Sequence, residues 1–140
     1  MSEMLARKII EGLARKDSAT PAATADATAS GGMLPGVIPL AGAMQVMQAL
    51  WAAFDDWGMD IIRTSTRGSE VAVEFMWGGT HTHALNLPGA PSIPATGKVV
   101  WVPDVFIFTI VNERMRSIRV ASPLNGGIPG MLAQLGVTVQ

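Results

Sequence analysis

Cysteine is absent from the 140-residue chain, and charged residues are scarce. Without cysteine there is no disulfide, no thiolate metal ligand and no cysteine nucleophile. Charged residues make up 15% of the chain, the net charge is −1, and the ten Lys and Arg residues are scattered. Because no basic stripe is present to neutralise a row of phosphates, the sequence predicts no nucleic-acid partner.

Long purely apolar runs are also missing. The N-terminal residues MSEMLARKIIEGLARKD carry a charge every few positions, so they lack the apolar core of a signal peptide. No stretch consists of apolar residues alone over the ~18 positions that a membrane helix needs. We therefore expect a soluble, cytoplasmic protein with no membrane partner.

Hydrophobic residues, by contrast, make up 49% of the chain. A chain of this length is most simply one domain, and it buries roughly two-thirds of its unfolded surface. The combination of many apolar and few charged residues indicates a large apolar interior or an extensive subunit interface. Because the predicted strands are rich in Val and Ile on both faces, we expect a homodimer formed through the outer face of the sheet.

The periodicity of the apolar residues changes along the chain. Leu5, Ile9 and Leu13 recur every four residues and predict a helix over 2–16. Residues 17–36 are rich in Ala, Thr, Ser, Gly and Pro, which predicts a weakly structured connection; a loose helix beginning at Pro21 is the alternative. A second helix follows, with its apolar face formed by Leu40, Met44, Met47, Trp51 and Phe54.

The rest of the chain has the alternation of β-strands. We predict strands over 59–67, 71–85, 99–111 and 115–122, followed by a short C-terminal turn of helix over 131–136. Helices first and a meander of long strands afterwards indicate a single α+β domain.

Three segments resemble the signatures of a known family. "VAVEFMWGGTHTHAL" with "IPATGKVV" resembles the GTHTG and P-x-TG-[KR] signatures of SnoaL-like polyketide cyclases, within the nuclear transport factor 2-like superfamily. The ending "GIPGMLAQLGV" is similar to their C-terminal LL-x-QLG segment. The resemblance covers about residues 40–137. It implies a cone, in which a strongly curved mixed sheet wraps around helices and leaves an apolar pocket.

The resemblance leaves the reaction open. Relatives of this shape include cyclases, ketosteroid isomerases, epoxide hydrolases, dehydratases and proteins without catalysis, because one fold hosts many functions. The cyclases carry an acid–base aspartate shortly before LL-x-QLG, whereas the corresponding stretch here, 119–130, contains no carboxylate. Ketosteroid isomerases use a pocket tyrosine, and this chain has no tyrosine.

His81 and His83 are the two histidines of the chain. Their spacing on a strand directs both rings to one face, an arrangement found in some metal sites. A stable site needs a third ligand, and no suitable carboxylate follows, so we predict no metal and no cofactor. The two remaining interpretations are polar residues near a strand end, and a catalytic or ligand-orienting pair.

Asp104 is the candidate acid–base residue. It lies in VVWVPDVFIFTIV, where the even-numbered positions place it on one face with Phe106 and Phe108. Desolvation there raises the pKa of a carboxyl towards the range useful for a general base. Pro103 removes a ladder donor and indicates a bulge or an edge, so the alternative is that Asp104 turns outward to water or to Arg119.

The leading hypothesis is a small enzyme that uses no cofactor and acts on an apolar carbonyl compound by cyclisation or isomerisation, or on an epoxide by hydrolysis. Asp104 removes the proton and His81 donates a hydrogen bond to the enolate oxygen. The alternative is a non-catalytic module that binds a small hydrophobic ligand. The predicted ligand-binding residues are Met47, Trp51, Trp77, His83, Phe106 and Phe108.

Overall fold

A computed structural model describes residues 2–17, 27–32 and 34–137. Within these ranges the helices and strands are α1 Ser2–Ala14, β1 Thr28–Gly31, β2 Ile38–Pro39, α2 Leu40–Ala53, β3 Gly58–Arg67, β4 Glu70–Thr80, β5 Val99–Val111, β6 Arg114–Val120 and α3 Gly127–Gln134. The predicted α+β class is confirmed. No helix in the described part of the chain is long and apolar enough to cross a membrane.

The strands form one mixed sheet in the order β2-β1-β6-β5-β4-β3. Strands β3 to β6 are an antiparallel meander, whereas β1 lies parallel to β6 and pairs with β2 on its other side. Strand β1 corrects the prediction of a loose connection over 17–36, because Thr28–Gly31 bond to β6 instead of remaining without partners. Residues 18–26, where the alternative helix was placed, lie outside the described residues.

Strand β4 is shorter than predicted. It ends at Thr80 instead of residue 85, because after the His81 amide, which donates to Lys98, the following two backbone donors bond to the end of α2. The amides of Thr82 and His83 both donate to the carbonyl oxygen of Ala53, at 3.1 Å each. Residues 81–98 therefore form a loop between β4 and β5.

The glycine pair in β4 keeps the register of the sheet. Pairing with β5 runs without a shift from Glu70–Thr109 to Thr80–Val99, so a bulge at the glycines is not present. Gly78 has a φ of +155°, and a Cβ there would lie 1.9 Å from the carbonyl oxygen of Val100. Only glycine allows the two backbones to approach this closely.

The apolar residues of β4 and β5 alternate as predicted. The inner face of the sheet packs against the helices, and the core contains Val71, Val73, Phe75, Trp77, Val100, Val102, Phe108 and Ile110. Full burial of each such side chain contributes about 1.5–3 kcal/mol as an upper bound. Pro103 lies where β5 is locally an edge, since β6 pairs only with Phe106–Val111.

Candidate functional site

A cavity of about 190 Å³ lies within this core. Helix α2 contributes Met44, Met47 and Leu50 to its lining, and the inner face of the sheet contributes Phe75, Trp77, Asp104 and Phe106. Leu87, Pro88 and Ala90 of the loop over residues 81–98 complete this part of the lining. A mostly apolar cavity with few polar groups is the usual form of a small-molecule site.

Asp104 places a carboxyl group against this cavity while only 5% of the residue is exposed. Its Oδ1 accepts hydrogen bonds from the Ser122 hydroxyl at 2.8 Å and the Val105 amide at 2.9 Å. Its Oδ2 accepts one from Nε1 of Trp77 at 2.9 Å. Burial raises the pKa of Asp104, and the bonds from Trp77, Ser122 and Val105 oppose that rise.

The two carboxyl oxygens of Asp104 therefore differ. A carboxylate oxygen accepts about two hydrogen bonds. Oδ1 already has two donors, whereas Oδ2 has one. Oδ2 is consequently the oxygen with an acceptor position left for a ligand or a proton.

Trp77 is itself held in place by a second tryptophan. The ring centroids of Trp77 and Trp57 are 5.4 Å apart, and Nε1 of Trp57 donates to the carbonyl oxygen of Leu13 at 3.2 Å. The indole of Trp77, which donates to Asp104, therefore packs against a ring that is itself hydrogen-bonded to α1. Packing of this kind limits the orientations that the donor can adopt.

Sequence reasoning missed Ser122 and the donor role of Trp77. Ser122 follows β6, in a stretch where strand alternation no longer applies, and no sequence signal directs it to Asp104. For Trp77 a sequence signal exists. Strands β4 and β5 are consecutive and pair with each other, and in their register Phe75 lies opposite Asp104. The next inward position of β4 is Trp77, diagonal to the carboxyl group.

Three of the predicted ligand-binding residues line the cavity: Met47, Trp77 and Phe106. Trp51 and Phe108 do not, although both are buried. Phe108 lies two residues further along β5 and packs against Phe106, with ring centroids 6.3 Å apart. Periodicity correctly gives the face of a side chain, but it does not give how far along that face the cavity extends.

His81 is buried but is not among the residues that line the cavity. Its Nδ1 accepts a hydrogen bond from the Thr96 amide at 3.2 Å, and its ring lies 5.7 Å from that of Phe54. Burial lowers the pKa of His81 and favours the neutral imidazole. The structure therefore does not bring His81 and Asp104 together in one site.

His83 lies outside the cavity as well. Its side chain is 59% exposed, and its Nε2 is 2.9 Å from Oδ2 of Asp55. The prediction that the rings of His81 and His83 share one face is wrong, because β4 ends at Thr80 and the chain then turns towards the end of α2. No group of three or more potential metal-ligating side chains occurs among the described residues.

The Thr80–His83 segment instead fastens α2 to the sheet. The amide and hydroxyl of Thr80 both donate to the carboxylate of Asp56, at 2.6 Å and 2.8 Å. Together with the two amides that donate to Ala53, these bonds satisfy carbonyl and carboxylate groups at the helix end. These bonds hold the end of α2 against the end of β4.

An unclosed mixed sheet, packed on helices around an apolar cavity, is the cone architecture of nuclear transport factor 2-like proteins. A family model described as the SnoaL-like domain matches residues 6–118. The chain belongs to this family, as the resemblance of its motifs predicted. The fold is one that small-molecule cyclases and isomerases use.

Solved structures agree with this fold. A candidate SnoaL-like polyketide cyclase from Jannaschia sp. CCS1 is 15% identical with a TM-score of 0.76, covering 98% of this chain and 93% of that one. IdmH, a candidate polyketide cyclase from Streptomyces antibioticus, is 21% identical with a TM-score of 0.74, covering 98% and 99%. AclR, a candidate hydroxylase from Streptomyces galilaeus, is 16% identical with a TM-score of 0.77, covering 96% and 95%. No curated protein matches the chain.

Proposed function

We propose that this protein is a cofactor-independent acid–base enzyme of the cyclase–isomerase type, with Asp104 as its catalytic residue. The observation that carries the proposal is a buried carboxyl group against an otherwise apolar cavity. Because burial raises its pKa, the carboxylate is a stronger base than one in water. Its substrate is a small apolar compound that contains a carbonyl group.

Oδ2 of Asp104 takes a proton from the carbon next to the substrate carbonyl. The electron pair of the broken C–H bond moves towards the carbonyl oxygen and gives an enolate. In an isomerisation, Asp104 returns the proton to another carbon of the conjugated system. In a cyclisation, the enolate carbon attacks a second carbonyl of the same molecule, and Asp104 returns the proton to the resulting alkoxide.

Ser122 is the proposed donor to the enolate oxygen. It lines the cavity, and its hydroxyl donates to Asp104 at 2.8 Å. Once Asp104 has gained a proton, this hydrogen bond weakens because the acceptor has lost its charge. The hydroxyl is then free to turn towards the negative oxygen of the substrate, the role that was predicted for His81 from the sequence.

The missing aspartate of the stretch 119–130 also fits this proposal. Ser122 belongs to that stretch and lies within hydrogen-bond distance of Asp104. The carboxyl group of β5 therefore reaches the part of the cavity where the family carries its acid. Asp104 supplies from the neighbouring strand what the stretch itself lacks.

A second candidate, a non-catalytic module that binds a small hydrophobic ligand, is favoured by one observation. Among the described residues that line the cavity, the side chains with hydrogen-bonding groups are those of Asp104, Ser122, Trp57 and Trp77, and the N–H groups of both tryptophans already have acceptors. A site this poor in polar groups suits binding as well as catalysis. Hydrolysis of an epoxide by the same carboxylate is a further reaction to test.

The test is proton exchange into deuterated water, followed by NMR, with a panel of β-diketones, enones and epoxides that also reports turnover. Asp104→Asn keeps the size of the side chain and removes the base, so we expect an exchange rate lower by about 10²- to 10⁴-fold. Asp60→Asn, which changes an exposed carboxylate of β3, is the matched control. An unchanged rate in Asp104→Asn contradicts the proposal, and stabilisation by apolar ligands without turnover supports the binding module.

We also propose that two copies associate through the outer face of the sheet. Val99 is 72% exposed and Trp101 is 40% exposed, both on the outward side of β5. Exposed apolar surface on a sheet is commonly covered by a partner. Sedimentation that shows only monomer at micromolar concentration contradicts this; Trp101→Asp is expected to shift a dimer towards monomer.

A further inference from the structure

We infer that the cavity selects uncharged ligands of one or two rings with a single polar group at one end. This inference names the substrate class of the site proposed above and rests on that proposal. Among the described residues that line the cavity there is no Lys, Arg or His, and Asp104 is the one ionisable side chain. The site thus offers no cation to pair with an anionic ligand.

A carboxylate or phosphate in this cavity is disfavoured twice. It loses its hydration without gaining a charged partner, and it lies near a carboxyl group of the same sign. At a few ångströms and an effective dielectric constant of ~20, like charges weaken binding by about 100-fold or more. An anion is therefore rejected even where its shape fits.

A cation is disfavoured for a different reason. An ammonium group has three N–H donors that need acceptors when water is excluded. At Asp104 only Oδ2 keeps an acceptor position, because Oδ1 is already bonded to Ser122 and Val105. At least one donor of the ammonium remains unsatisfied, and this cost adds to the loss of hydration of the charge; a single ion pair does not offset the sum in a dry site.

The hydrogen-bonding groups of the lining limit the ligand to one polar end. The N–H groups of both lining tryptophans are occupied, that of Trp57 by Leu13 and that of Trp77 by Asp104. Among the side chains of the described lining residues, this leaves Oδ2 of Asp104 and the Ser122 hydroxyl, which lie next to each other. A hydroxyl group bound there donates to Oδ2, and a carbonyl group accepts from Asp104 when its carboxyl group is protonated. The remainder of the ligand then lies against apolar side chains.

The volume limits the size. At about 190 Å³, the cavity is larger than a ~150 Å³ cavity that takes benzene and smaller than the ~300 Å³ at which sites for drug-sized ligands begin. One ring or two fused rings fit this range. Met44, Met47 and Met59 line the cavity, and their flexible side chains adjust to the outline of such a ring system.

The experiment measures binding by calorimetry with ligands of matched shape. 2-Acetylnaphthalene is neutral and carries one carbonyl group; 2-naphthoate has an oxygen anion in place of the methyl group; 1-(2-naphthyl)ethylammonium is the cation; 2-acetylanthracene adds a third ring. We expect the neutral two-ring ketone to bind at least about 100-fold more tightly than the anion. The cation and the three-ring ketone are expected to bind at least about tenfold more weakly than the two-ring ketone.

Asp104→Asn identifies the cause of the discrimination. Removing the carboxylate is expected to reduce the ketone-to-naphthoate ratio by about 100-fold, whereas Asp60→Asn leaves the ratio unchanged. Naphthoate binding within threefold of the ketone overturns the inference, as does tightest binding of the ammonium or equal binding of the three-ring ketone. Ketone binding without proton exchange defeats only the proposed reaction, and exchange without charge discrimination defeats only this inference.

Discussion

Two polar side chains are buried among the described residues, Asp104 in β5 and His81 just beyond the end of β4. Asp104 lies against a cavity and receives hydrogen bonds from two other side chains, Trp77 and Ser122. His81 lies away from the cavity and is bonded to Thr96 of the loop that follows. Both side chains are buried, so burial alone does not distinguish them; the difference is that Asp104 lies beside an open space and His81 does not.

The same environment acts on the two groups in opposite directions. Burial raises the pKa of the acid Asp104 and lowers the pKa of the base His81, because it favours the neutral form of each. For Asp104 the shift produces a stronger base beside a cavity. For His81 it produces a neutral ring that packs against Phe54.

The largest expected effect on stability is that of Gly78→Ala. Gly78 lies in β4 between Trp77, which lines the cavity, and the Thr80–His83 segment. A Cβ there would meet the carbonyl oxygen of Val100 at 1.9 Å, with φ at +155°. We expect a loss of at least about 3 kcal/mol in the free energy of unfolding, measured by urea denaturation. Gly68→Ala is the control, because its φ of +60° is also positive but nothing lies within 4 Å; we expect about 1 kcal/mol there. Equal losses contradict the prediction.

Trp77→Phe tests how the environment of Asp104 sets the pKa of this carboxyl group. The change keeps an aromatic ring and removes the N–H that bonds to Oδ2 of Asp104. Since that bond holds the pKa of Asp104 down, we expect the acid limb of the pH profile of kcat/KM to move to higher pH, with a stability loss of about 2 kcal/mol. Trp101→Phe, on the outer face, is the control; an unmoved limb in Trp77→Phe shows that the hydrogen bond does not tune the base.

The pH dependence of stability tests the histidine side. The folded protein disfavours protonated His81, so its contribution to stability is complete above the ordinary pKa of 6.5 and is lost as the pH falls through the lowered pKa of the folded state. We expect a slope of at most about 1.4 kcal/mol per pH unit in this range. His81→Gln should flatten it, whereas His83→Gln should not. A slope that persists in His81→Gln refutes the assignment.

Asp104 has the opposite sign in the same measurement. Its contribution is complete below the ordinary pKa of 3.8 and is lost as the pH rises through the raised pKa of the folded state. The stability difference between Asp104→Asn and the wild type should therefore shift in favour of the variant as the pH rises.

The smallest effect is expected for His83→Ala. This change removes the hydrogen-bonding contact between Nε2 of His83 and Oδ2 of Asp55, whose side chains are 59% and 67% exposed. Pairs exposed to this extent contribute less than about 1 kcal/mol. Thermal denaturation should show little change, and a loss as large as that of Gly78→Ala would mean that the histidine has a role beyond this pair.

The sequence predicted more of the fold than of the site. The alternation of β5 put Asp104 on the inward face with Phe106, and the structure has both lining the cavity. The predicted end of β4 was wrong because the amide groups of Thr82 and His83 donate to the last residue of α2, which is distant in sequence. Strand β1 was missed for a related reason: small residues such as Ala29 carry a weak strand signal, and pairing with β6 decides their conformation.

What the sequence by itself determined is local: where helices and strands occur, which side chains share a face, and which motifs place the chain in its family. Local periodicity fixes these because each residue's direction follows from that of its neighbours in the chain. Only the tertiary structure decided that Ser122 meets Asp104 and that His81 lies outside the cavity. Those outcomes depend on register and on contacts between segments far apart in sequence, which no local pattern specifies.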